Sequence, residues 1–200
     1  AHKYFEVIEG AIRKYDPNHL YLGCRFIRNF EQMEGVAEMA GKYADVVSVN
    51  VYSAYPEREE MDSWYNAARK PIIIGEHHIP LQTPKQLWPL YENFSPDERE
   101  QMIKNYLFKW ASYSYSVGAH WYQFRDQEVT GRGIGGGGGE NQPVGLVSIA
   151  DKINRPLANI YFEVSHQLVE SLMLDNFKAS KMARDERDGF QFHNSRNINR

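Results

Sequence analysis

The segment that decides the fold is Lys70-Pro71-Ile72-Ile73-Ile74-Gly75-Glu76-His77-His78. Lys70-Pro71 stops whatever helix precedes it, because the residue before a proline is pushed out of the α region. The isoleucines that follow are β-branched and continuous, as in a strand buried on both faces of a parallel sheet. This apolar run then ends abruptly in three ionisable side chains, so a carboxylate and two imidazoles stand at one strand end.

Working outward, the same helix, turn and strand order repeats. Upstream, Phe5, Ile8, Ile12 and Tyr15 recur at three- and four-residue spacings, which predicts a helix over 4–15 ended by Asp16-Pro17-Asn18. His19 to Phe26 reads as the first strand. Glu34 to Tyr43 reads as a helix with Val36, Met39 and Ala40 inward, and Asp45 to Tyr52 as a β-branched strand. Glu59 to Arg69 is helical and leads into the isoleucine strand. Downstream, Ser95-Pro96-Asp97-Glu98 combines an N-cap serine, a proline at the first helical position and a Glu three residues after the cap. Gly118 to Phe124 is the fourth strand and Pro156 to Met173 a last helix. The polar residues 175–200 read as a loosely held tail after a folded part over 1–174.

Strands alternating with helices indicate an α/β fold with a parallel sheet. A doubly wound sheet and a (β/α)8 TIM barrel both satisfy that order. The strand ends favour the barrel, whose chemistry gathers at the C-terminal ends of several strands. They carry Arg25, then Asn50 and Tyr52, then Glu76, His77 and His78, and finally Gln123, Arg125 and Asp126. Four βα units are half of such a barrel. Ala1 opens the chain inside an amphipathic helix, which reads as a fragment boundary.

Composition narrows the partners. A formal charge of −3 and a pI near 6.2 offer no basic field for nucleic acid. No run approaches the about 20 apolar residues of a membrane span. One cysteine, Cys24, excludes an internal disulfide and a Cys-rich zinc site. Thirteen Tyr, ten Phe and four Trp suit a groove for sugar rings, and equally a packed core. No cofactor motif is present: the glycine run 135–139 lacks the GxxxxGK[ST] pattern of a phosphate loop.

A carboxylate at the lip of an apolar strand suits the nucleophile of a retaining glycosidase, which works with a second carboxyl about 5.5 Å away. Glu76 is the candidate; pairing with Arg25 or Arg125 across the strand ends is the plainer alternative. Tyr52 is placed to donate a hydrogen bond to it. Adjacent strand residues face opposite ways, so Glu76, His77 and His78 cannot together chelate one ion; a histidine there contacts a sugar hydroxyl or packs beneath the loop. On the fourth strand, alternation puts Trp121 and Gln123 on one face and His120 on the other, with Trp121 placed to stack on a sugar or to fill core.

These residues also carry a family resemblance. Pro71 to His78, Gly118 to Gln127, Thr130-Gly131-Arg132, Gly139-Glu140-Asn141, Val144 to Val147 and Asp151 occur in linked order. Together they resemble the C-terminal half of the clan A glycoside hydrolases, and most of all the β-agarases of family 50, over roughly residues 15–172. The resemblance implies a (β/α)8 barrel represented by strands five to eight, retaining hydrolysis of a β-linked galactan such as agarose, and Glu76 as nucleophile with Tyr52 beside it. Arg25, Asn50, His77, His78, Trp121, Gln123, Asp126 and Glu140 would contact the sugar. It implies no metal and no cofactor, and a secreted or periplasmic address. The acid/base Glu of that clan follows an Asn at the fourth strand; no Asn-Glu pair occurs in this sequence, so that group is expected from the N-terminal half of the barrel. A non-catalytic carbohydrate-binding or assembly half-barrel is the alternative, and a metal-dependent hydrolase using His77 or His78 a third.

Overall fold

The computed structural model describes residues 1–27, 30–79, 94–131 and 141–173. Within them the chain runs α1 (His2–Tyr15), β1 (Arg25–Ile27), α2 (Phe30–Tyr43), β2 (Val47–Asn50), α3 (Arg58–Ala68), β3 (Ile72–His77), α4 (Pro96–Ala111), β4 (Ser116–Trp121) and α5 (Arg155–Met173). The expected tail over 175–200 lies outside the described residues.

The four strands form one parallel sheet in chain order, β1-β2-β3-β4. That order never reverses, so these strands contain no switch point of the doubly wound type. Phe26, Val47, Val49, Val51, Ile72 and Ile74 are buried in one core with Trp64, Ile103, Tyr106 and Leu157 from the helices. On the other face Arg25 and Ile27 are exposed, Ile27 at 75%. The alternation of side chains along a strand therefore separates a helix face from an open face. None of the described helices is long and apolar enough to cross a membrane.

Two local features differ from, or match, the expected elements for identifiable reasons. β1 is shorter than the run from His19 to Phe26 because Gly23 takes a left-handed φ of +63°, which no extended strand contains. The preceding residues are fastened instead by Asp45, whose carboxylate accepts from the Tyr21 backbone at 2.8 Å and from Arg13 Nη2 at 2.7 Å. These two donors hold the Asp45 carboxyl below its usual range, the Tyr21 amide first. The start of α4 is a capping box as its sequence predicts: Glu98 N donates to Ser95 Oγ at 3.4 Å and Ser95 N to Glu98 Oε2 at 2.9 Å.

A bulge in β3 sets the phase of the strand ends. Val49 pairs with Ile74 and Asn50 with Glu76, leaving Gly75 as the extra residue. Ile74 and His77, three apart in sequence, are both fully buried on the helix face. Gly75 and Glu76 lie between them and share the open face, as the two residues of a bulge do.

Candidate active site at the strand ends

Glu76 is held at both carboxylate oxygens. Arg25 Nη1 stands 2.8 Å from Oε1, and the Tyr52 hydroxyl donates to Oε2 at 2.5 Å. The Glu76 side chain is only 13% exposed, and its backbone is tied down by a 2.9 Å bond from Val51 N to Glu76 O. Donors on two oxygens leave the carboxylate one orientation, and charge-assisted bonds of this kind are the strong ones. Of the two arginines that sequence reasoning offered as partners, Arg25 makes the pair. Arg125 points elsewhere, donating to Ile149 O at 2.6 Å and lying 3.4 Å from Asp151.

Tyr52 is braced by aromatic neighbours. Its ring meets His78 edge-on at 4.9 Å and Tyr122 edge-on at 6.2 Å, and His78 is buried between Tyr52, Tyr122 and Trp121. Edge-to-face packing restricts the phenol and so aims its hydroxyl. Asn50 sits opposite Glu76 in the register, and its Oδ1 is buried with no hydrogen-bond partner among the described residues. The strand ends thus bring Arg25, Asn50, Tyr52, Glu76 and His78 together, with Tyr122 added.

No family model matches this chain. It is 37% identical over 162 residues, 78% of its length, to β-agarase B of Vibrio sp. (strain JT0107). It is 33% identical over 156 residues, 76% of its length, to β-agarase A of the same strain. Among solved structures it superposes on an exo-β-agarase with a TM-score of 0.74 and 36% identity, covering 84% of this chain and 22% of that one. The chain is similar to β-agarases. It spans 16% and 15% of the two Vibrio agarases.

Two of the expected sugar contacts are placed away from Glu76, on the helix face of the sheet. His77 falls on the helix face, fully buried and stacked on Tyr106 at 4.5 Å. Its Nδ1 bonds His120 O at 2.9 Å and its Nε2 the Tyr161 hydroxyl at 2.7 Å. Burial lowers its pKa to about 3, so it is neutral. Trp121 is level with His77 and packs beside it, against Tyr161 at 5.4 Å and under Arg99 at 5.5 Å, with its Nε1 donating to Val144 O at 2.6 Å. His120, expected on the face away from Trp121, is exposed, in the part of β4 that runs beside the Gly75-Glu76 bulge.

The other expected contacts lie on the connection after β4. Gln123 donates to Arg125 O at 2.6 Å and, with Asp126, Glu128 and Thr130, lines a cavity of about 640 Å³. Asp126 accepts from Gly145 N at 2.7 Å, closing that connection, while burial raises its carboxyl. Glu140 lies outside the described residues. Tyr122 went unread in the sequence because its contact with Tyr52 and His78 depends on how neighbouring strand ends are placed, which alternation alone does not reveal.

Proposed function

We propose that this chain is the nucleophile-bearing half of a retaining glycoside hydrolase that cleaves a β-linked galactan of the agarose type. The observation that carries the reading is the carboxylate of Glu76, clamped by Arg25 and Tyr52 at the C-terminal end of a parallel strand, in a chain similar to β-agarases.

In this reading the sheet is strands five to eight of a (β/α)8 barrel, which fits four parallel strands in chain order with helices packed on one face. Glu76 attacks the anomeric carbon. A second carboxyl from the other half of the barrel protonates the departing oxygen, and water, activated by the same group, then releases the sugar from Glu76. Arg25 and Tyr52 hold Glu76 on its line of attack. Asn50, with a buried oxygen open to a hydroxyl donor, and His78 beside Tyr52 orient the sugar, and Gln123 meets it from the connection after β4. Agarose oligosaccharides incubated with the complete protein would release product whose first-formed anomer, read by proton NMR, keeps the β configuration. Inversion would contradict the reading.

A further inference from the structure

Arg25 reaches Glu76 from two strands away. It stands on β1, in register with Ser48 of β2, while Glu76 is on β3. Its side chain must therefore cross the open face of β2 to bring Nη1 to Glu76 Oε1. A Cβ placed on Gly75 would lie 2.8 Å from Arg25 Cδ and 2.9 Å from Arg25 Cγ, and closer still to Ser48 Oγ. Real carbon contacts are not that short. Arg25 methylenes, the Ser48 hydroxyl and the bare backbone of Gly75 thus occupy one strip of the sheet. Gly75 has no left-handed φ, so its lack of a side chain answers a need for room and not for an unusual backbone.

We infer that Ser48 and Gly75 are positioning residues: they form a shallow trough across β2 and β3 in which the stem of Arg25 lies, and the trough delivers the guanidinium to Glu76. The bulge belongs to the same device, because it adds Gly75 to the face that Glu76 occupies. An arginine suits the trough because its long stem ends in a planar guanidinium matched to a carboxylate. The catalytic consequence rests on the proposed role of Glu76; the placement of Arg25 does not.

The test reads Arg25 directly in the full chain. In nitrogen-15 spectra of arginine side chains, a paired guanidinium shows slowed exchange and separate Nη resonances. Arg13, bound to both oxygens of Asp45 at 2.8 and 2.7 Å, is an internal standard. Gly75→Ala is expected to abolish the separate Arg25 Nη signal and leave that of Arg13 intact, and Ser48→Thr to do so in part. An unchanged Arg25 signal in folded Gly75→Ala would overturn the inference. If Gly75→Ala fails to fold, it is combined with Arg25→Ala and Ser48→Ala, which together remove the side-chain atoms its Cβ would meet; recovered folding supports the trough and continued failure overturns it. In the complete protein, Gly75→Ala and Arg25→Met should lower kcat on agarose oligosaccharides by the same factor, with KM little changed and no further loss when combined. If the Arg25 signal is lost and kcat is unaffected, the trough stands and the nucleophile reading fails.

Discussion

The Tyr52 hydroxyl donates to Glu76 Oε2 at 2.5 Å, joining the end of β2 to the end of β3. This bond fills the oxygen that Arg25 leaves, so the carboxylate is fixed by a phenol on one side and a guanidinium on the other.

Tyr52→Phe keeps the ring against His78 and Tyr122 and removes only that donor. A hydrogen bond to a charged group contributes about 1.5–3 kcal/mol, which corresponds to a loss of about 10- to 150-fold in kcat/KM. Steady-state hydrolysis of agarose oligosaccharides by the complete protein measures it. Parent-like kinetics would show that the bond does not serve the reaction.

His77 makes stability depend on pH. In the unfolded chain it takes up a proton near its ordinary pKa of 6.5, whereas in the folded chain, where it is desolvated, it does so only near 3. Between these values the unfolded state binds more protons, so His77 contributes a loss of stability as pH falls from 6.5 towards 3. The slope is up to about 1.4 kcal/mol per pH unit. His77→Phe fills the same place on Tyr106 and cannot titrate. Urea unfolding at pH 7 and pH 4.5 should show a smaller drop for the variant than for the parent; equal drops would contradict the assignment.

Trp64 couples the core to the site. It is fully buried and stacked on Phe26 at 5.6 Å, and Phe26 follows Arg25 on β1. Trp64→Ala removes a large core side chain, at a cost of about 3–5 kcal/mol. Urea unfolding should show that loss, and the Arg25 side-chain signal should broaden as β1 loosens. A loss below about 1 kcal/mol would mean that the site refills.

Much of this arrangement is legible in the sequence, for physical reasons that particular residues make plain. Ile72 to Ile74 followed by Glu76 announces a strand with an ionisable end, and Ser95 with Glu98 announces a helix start, because both signals are local. The shortening of β1 follows from Gly23, whose positive φ is one of several that a glycine in an apolar run permits. The reach of Arg25 over Ser48 and Gly75 depends on which residues are level across three strands. The bulge at Gly75 inserts one residue into an otherwise regular alternation, and that insertion turns His77 to the helix face, where Trp121, level with it on β4, packs beside it. Counted from the buried Ile72 and Ile74, strict alternation would put Glu76 on the helix face and His77 on the open one; what alternation does give is that Glu76 and His77 point apart.

Glu76 is the residue on which the proposed chemistry depends. The most direct measurement is turnover of agarose oligosaccharides by the complete protein and by its Glu76→Gln variant, compared at equal folding by circular dichroism. Glu76→Gln is expected to bind the oligosaccharide and no longer turn it over; hydrolysis at the parent rate by the folded variant would contradict the role of Glu76 as nucleophile.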